Sequence, residues 1–332
     1  MIKHMLCAAW FSVLMALVGC GPLTFTVGNS PAGRKITTSV VQEADGWTRD
    51  RVAIIDVTGM ITNRSRSGLL SEIENPVGLL HEKLEDARRD AHIKAVIIRL
   101  NTPGGTVTAS DAMYREVMRF KQKSQKPVVG LMMDVAASGG YYLACATDEI
   151  VAYPTTITGS IGVIVQTFSV KPMLNRWGVK TDAIVSGPNK DAGSPLSEMS
   201  PEQRAIFQGL VDQFYANFVE VVKTNRPGIE AASIKTVTDG RVFTGTEAKT
   251  LGLVDQTGDL YDAFETAKQR AGIDDAQLVL YHREGDFAGS AYAQAPAVGG
   301  SAGTQINLAQ INMDVQAMSS TDVFLYLWQP GP

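Results

Sequence analysis

Residues 128–146 read VVGLMMDVAASGGYYLACA, and the fold turns on how this stretch divides. Val128 to Met132 is an apolar run of strand length, and Gly139 to Ala146 is a run of helix type. A strand that leads through a short connection into a helix is the repeating unit of a parallel sheet. The connection sets the Ser138 hydroxyl at the mouth of the helix, beside backbone N–H groups with no partner inside it. Gly139 and Gly140 follow at once, removing side chains that would keep a carbonyl from reaching that hydroxyl.

The alternation extends in both directions. Upstream, Arg51 to Val57 has a strand pattern, Pro76 to Asp90 has helical spacing through Leu79, Leu80, Leu84 and Ala87, and Ala95 to Leu100 is a second apolar strand. Ala109 to Lys121 reads as the next helix, and Glu149 to Ala152 follows the central stretch as a short strand. Downstream, Ile161 to Gln166 and Thr181 to Val185 are expected strands flanking a helical segment, Lys171 to Arg176. Pro201 to Lys223 is a long helix opened by Ser200 and Pro201, and Asp259 to Ala271 is the last helix. The whole predicts an α/β fold with a parallel sheet and helices toward the C-terminus.

At 332 residues, 45% hydrophobic and 19% charged, the chain can bury a full core. Its net charge of -4 and the lack of a Lys/Arg run with interleaved aromatics argue against nucleic acid as a partner.

Lys3 and His4 precede an apolar run, Met5 to Val18, that is too short for a comfortable membrane span and reads as an export signal. It ends Leu17-Val18-Gly19-Cys20, which resembles the bacterial lipobox. The expectation is a lipoprotein signal over 1–20 and an exported body held at a membrane surface through lipidated Cys20, facing the periplasm or cell exterior. An ordinary signal peptide or an uncleaved anchor that happens to contain Cys20 stays open. A polar tether is expected over 21–50, a folded domain over 51–284, and a flexible tail with an apolar end over 285–332. Of three cysteines only Cys145 falls in the domain, so no disulfide framework is expected. It follows Ser138 by two helical turns, as a small core residue would.

A second loop stands out after the strand that ends at Leu100: Asn101-Thr102-Pro103-Gly104-Gly105, where paired glycines let the backbone approach a ligand. In open α/β sheets, loops at the carboxyl ends of strands hold the ligands. By residue type Ser138 fits a helix N-cap as well as a nucleophile. A nucleophile needs a base, and the four histidines offer little: His4 lies in the signal, His81 and His92 on or beside a surface-type helix, and His282 near the tail. A Ser-His-Asp triad stays open, because triad order varies between folds. A lysine serves as base only where burial or neighbours lower its affinity for the proton.

These motifs resemble the signal peptide peptidase A, or protease IV, family of Ser-Lys peptidases. The resemblance spans about Ala53 to Ile273. It rests on Asn101 to Gly105, Asp134 to Tyr142, Thr158-Gly159-Ser160-Ile161-Gly162, and Ser186-Gly187-Pro188-Asn189-Lys190-Asp191, in the family's order. It implies a Clp protease/crotonase-like core of repeated ββα units, with Ser138 as nucleophile, Lys190 as general base and Ser160 orienting that lysine. The backbone N–H groups of Gly105 and Gly139 would be the oxyanion donors. No metal or cofactor is implied. Thr102 stands where the family usually has Ser, which keeps the hydroxyl. With both catalytic residues in a single half, the chain resembles the short members, which form ring-like homo-oligomers, and the implied substrates are apolar peptides such as released signal peptides. A crotonase-like acyl-transfer enzyme and a non-catalytic membrane scaffold are the rival readings of the same fold.

The last apolar segment, Val323-Phe324-Leu325-Tyr326-Leu327-Trp328, suits an added strand. It is expected to dock either as structural cover or in the peptide groove as a tethered plug.

Overall fold

The structure, a computed structural model, describes residues 34–67, 72–286, 289–292 and 324–328. Its elements in chain order are β1 (Ile36–Gln42), β2 (Arg51–Thr58), the small pair β3 (Arg66–Ser67) and β4 (Glu72–Ile73), α1 (Pro76–Arg89), β5 (Ile93–Thr102), β6 (Gly104–Thr106), α2 (Val107–Ser124), β7 (Val128–Ala137), α3 (Gly139–Ala144), β8 (Glu149–Ala152) and β9 (Ile157–Gly159). Then come α4 (Lys171–Arg176), α5 (Pro201–Asn225), α6 (Ile234–Val237), β10 (Val242–Thr244), α7 (Gly245–Thr250), β11 (Gln256–Thr257), α8 (Leu260–Ala271), β12 (Gln277–Arg283) and β13 (Leu325–Leu327).

The main sheet runs β1-β12-β2-β5-β7-β8-β11, with β9 and β10 attached beside β7. The pairings from β12 through β2, β5, β7 and β8 to β11 are parallel. Period-two alternation splits the strands between two cores. Ala53, Ile55, Val57, Val96, Ile98 and Leu100 face one, shared with Leu80, Leu84 and Ala87 of α1 and with Met113, Val117 and Phe120 of α2. Val52, Ile54, Ala95, Ile97, Val129 and Leu131 face the other, closed by Leu260, Ala263, Phe264 and Ala267 of α8. Both faces are covered, which is why the central strands read as continuous apolar runs.

The helix starts follow their sequence signals. Ser200 and Gln203 form a reciprocal capping box ahead of Pro201, and Asp259 caps α8 through Tyr261 and Asp262.

Three expectations change. The tether over 21–50 contains a strand: β1 pairs antiparallel with β12, its alternating Ile-Thr-Thr-Ser-Val-Val finding a partner more than two hundred residues away. Ile161 to Gln166 makes a single bridge, between Ile164 and Leu325, and Thr181 to Val185 is not a strand. The latter has strand-like residues but no neighbour to pair with, and Ile184 is fully exposed. Cys20 and the rest of the expected signal lie outside the described residues, among which no helix is long and apolar enough to cross a membrane.

β7 positions the site. Its first half pairs with β8 (Val129 to Met132 against Glu149 to Ala152), whereas its last three residues pair with β9 (Val135 to Ala137 against Ile157 to Gly159). The strand thus outruns β8 and gains a second partner just before Ser138.

Candidate active site

Ser138 directly follows β7 with a backbone φ of 52°, and Ser160 directly follows β9 with a φ of 51°. Positive φ costs a non-glycine residue roughly 1–2 kcal/mol, so the surroundings must impose it. Backbone hydrogen bonds impose it. Ser138 N–H donates to Gly159 C=O at 2.8 Å, and Ser160 N–H donates to Arg241 C=O at 2.7 Å. Ser138 is the N-cap residue of α3, yet its side chain makes no capping hydrogen bond. The capping explanation for this serine therefore falls away. The residue is buried, 1% exposed, while Tyr142 N–H bonds to its carbonyl at 2.9 Å and starts the helix.

The Gly104-Gly105 loop is pressed against the same turn. Thr102 Oγ1 donates to Gly59 C=O at 2.5 Å and accepts from Gly104 N–H at 3.1 Å, fixing the loop's entry. Gly104 C=O and Thr106 N–H are both taken by Ile61 of the neighbouring segment, at 2.8 and 2.9 Å. Gly105 therefore turns its own N–H to the opposite edge of β6, where β13 pairs with it. A Cβ on Gly105 would lie 1.8 Å from Ile61 O, so no side chain fits. Gly104, with φ at 102°, would put a Cβ 2.7 Å from Gly139 N. The two glycine loops meet backbone to backbone, with N–H groups of Gly105 and Gly139 flanking the turn that carries Ser138.

The sequence model of peptidase family S49 matches residues 120–274, a range that holds Ser138, Ser160 and Lys190. A protein of Synechocystis sp. that carries a protease name is 36% identical over 233 residues, covering 70% of this chain and 79% of its own. One from Enterococcus faecium that carries the name signal peptide peptidase SppA is 31% identical over 250 residues, with 75% and 72% covered. The Protease 4 of Salmonella typhi is 36% identical over 202 residues, 61% of this chain and 32% of that one. This chain belongs to the signal peptide peptidase A family. It is a serine peptidase on an α/β fold with a mostly parallel central sheet.

Within this signal peptide peptidase A member, the structure brings together Ser138, Ser160, Gly105 and Gly139. No hydrogen bond joins the Lys190 side chain to them. Lys190 lies exposed in a turn closed by its own N–H to Gly187 C=O at 3.1 Å, and its ammonium has no hydrogen bond or ion pair among the described residues. The histidines are elsewhere. His81 pairs with Glu116 at 2.8 Å on the surface, and His282 is buried in β12 against Ser39 Oγ at 2.8 Å. Cys145 is buried at the end of α3, where burial pushes its thiol up to about 12, as suits a core residue.

Several residues at the site were not singled out from the sequence. Tyr142 packs edge-to-face with Tyr114 and Phe218, with ring centroids 5.3 and 5.1 Å away, and its hydroxyl donates to Asp111 at 3.1 Å. Burial and Asp111 raise its pKa, so it stays neutral. Phe207, Phe214 and Phe218 line one face of α5, a spacing of seven and four that carries the signal of a shared helical side. Ile61 gives its backbone to the Gly104-Gly105 loop, and Ile164 gives its backbone to Leu325 of β13.

Proposed function

We propose that the protein is a membrane-associated endopeptidase in which Ser138 attacks the peptide carbonyl and Lys190 of a neighbouring copy takes its proton. The observation that carries the reading is the Ser138 turn: a strained serine whose hydroxyl is released from capping, beside two glycine N–H groups. Gly105 and Gly139 would bind the oxyanion, each donor contributing on the order of 3 kcal/mol to the transition state. The Ser138 oxygen bonds to the carbonyl carbon, the proton passes to the lysine nitrogen and then to the leaving amine, and water later releases the acyl group. Ser160, which follows β9 as Ser138 follows β7, would orient the lysine.

Supply of Lys190 from a second copy is supported by the surface that carries it. Residues 163–198 expose Phe168, Met173, Trp177, Ile184 and Leu196, with Trp177 at 79% and Ile184 at 104%. Apolar side chains held this far into water fit an association surface. A lysine accepts a proton only once water is stripped from it, which a ring of copies would do. Released signal peptides are the proposed substrates, bound as an extended strand, and Cys20 is the proposed lipid anchor.

A fluorophosphonate probe tests the chemistry. Labelling of the wild type and not of Ser138→Ala is the expected result. A crotonase-like enzyme or a scaffold would leave both unlabelled.

A further inference from the structure

β5 and β7 run in register from Val96 opposite Val128 to Leu100 opposite Met132, and then the register breaks. The next pair is Thr102 with Ala136, so Asn101 alone faces Met133, Asp134 and Val135. Over this step β7 carries two residues more than β5, a bulge in a parallel pair. An even excess preserves the alternation of faces, and Met132 and Ala136 both point into the first core.

The excess decides where the nucleophile stands. A regular register would set Asp134 opposite Thr102 and carry Ser138 four residues beyond that level. With the bulge Ser138 follows only two residues after the Thr102 level, beside the Gly104-Gly105 loop. The difference is two strand residues, about 7 Å of chain. That is twice the separation of about 3.5 Å between reacting atoms, so a serine in the regular register would overshoot the glycine N–H groups.

A bulge takes backbone groups out of the ladder, and they need partners of another kind. Toward β5 the partner is Asn101, whose Oδ1 accepts from Val135 N–H at 3.3 Å and whose Nδ2 donates to Asp134 Oδ2 at 3.5 Å. Asn101 is itself tied to the segment after β2, its C=O accepting from Gly59 N–H at 3.0 Å. On the other side β8 has ended at Ala152, and β9 begins only at Ile157. Thr156, fully buried, fills that gap. Its hydroxyl donates to Met133 C=O at 2.6 Å and lies 3.0 Å from Met132 C=O, while its N–H closes a turn onto Tyr153 C=O at 3.0 Å. Two side chains thus stand in for the missing ladder bonds, one from each flank of β7.

We infer that Asn101 and Thr156 are positioning residues of the peptidase: they hold the two-residue excess in β7 that brings Ser138 level with the glycine loop. Neither touches the reacting atoms. Their effect is carried by the backbone from Met133 to Ala137. This deepens the peptidase reading above and rests on Ser138 as its nucleophile.

The test measures, on the full-length chain, kcat and KM for a fluorogenic peptide and the rate at which a fluorophosphonate labels Ser138. Asn101→Leu and Thr156→Val should each lower kcat and the labelling rate about ten- to a hundredfold, with KM changed by less than about twofold, because the attacking oxygen is misplaced while the peptide still binds. Thr156→Ser returns the hydroxyl and should restore most of the rate. Asn101→Asp keeps the acceptor for Val135 N–H but sets a second carboxylate beside Asp134, so it should be slow, and adding Asp134→Asn should recover it. Thr147→Val, which loses a hydroxyl bond to Ala144 C=O at 2.7 Å, is the control for stability alone and should lower the melting temperature with kcat unchanged. Wild-type kcat in Asn101→Leu and Thr156→Val, or a loss that Thr147→Val shares in proportion to its melting temperature, overturns the proposal. If Thr156→Val does not fold, equal labelling of Asn101→Asp and of the double variant overturns it. A wild type that takes no label on Ser138 overturns the nucleophile, and the proposal with it.

Discussion

Ser138 and Ser160 occupy equivalent places on paired parallel strands: each follows the last bonded residue, Ala137 opposite Gly159, and each holds a left-handed backbone, with φ of 52° and 51°. Two strained serines side by side at the carboxyl edge of a sheet put two hydroxyls at one level. Neither position needs its hydroxyl to hold the fold, since the anchoring bonds are made by backbone groups.

Replacement of Ser138 by Gly should therefore abolish peptidase activity without lowering the melting temperature. Glycine relieves roughly 1 kcal/mol of backbone strain, which offsets its greater freedom when unfolded. Calorimetry beside a turnover assay reads both. A large loss of stability would mean that the serine side chain holds the turn.

Ser160→Ala should lower kcat by about ten- to a hundredfold with little change in KM, as expected of a group that acts by orienting a base. Unchanged kcat would remove Ser160 from the proton path.

Thr102 gives a separate handle on the glycine loop. Thr102→Val deletes the hydroxyl that joins Gly59 C=O to Gly104 N–H and should cost about 1–3 kcal/mol, with a drop in turnover as Gly105 N–H loses its aim. Thr102→Ser should restore both. Thermal unfolding and kcat measured on the pair check this, and a Val variant as stable and active as wild type would contradict it.

Cys145 should be silent. Its thiol is pushed up to about 12 by burial, so the thiolate that alkylation requires is scarce at pH 8 and appears only near pH 12 or on unfolding. Iodoacetamide should leave the native protein unmodified by mass and active, and Cys145→Ala should retain turnover. Rapid alkylation with loss of activity would bring the sulfur into the mechanism.

Much of this fold was legible because its strands are buried on both faces. β2, β5, β7 and β8 announce themselves as apolar runs, and α5 and α8 by Ser200 and Asp259. β1 was not, since a half-exposed strand of Thr, Ser and Val becomes a strand only through β12, far along the chain. Ile161 to Gln166 and Thr181 to Val185 misled for the converse reason: local propensity without a partner strand does not make a strand. At the site, Ser138 and the glycine pair could be read from local chemistry. The dihedral at Ser160 and the aromatic wall from α5 could not, because they depend on β10 and on a helix seventy residues downstream of Ser138.

Lys190 is an exposed residue in the single chain, whereas Ser138 is buried. Lys190→Ala and Lys190→Arg should both be inactive yet folded, since arginine keeps its proton. The most direct measurement is peptidase activity after co-assembly of Ser138→Ala chains with Lys190→Ala chains, each inactive alone. A site built from Ser138 of one copy and Lys190 of the next predicts recovery of about a quarter of wild-type activity, from random pairing at a ring interface. A mixed oligomer that forms and stays inactive would contradict it.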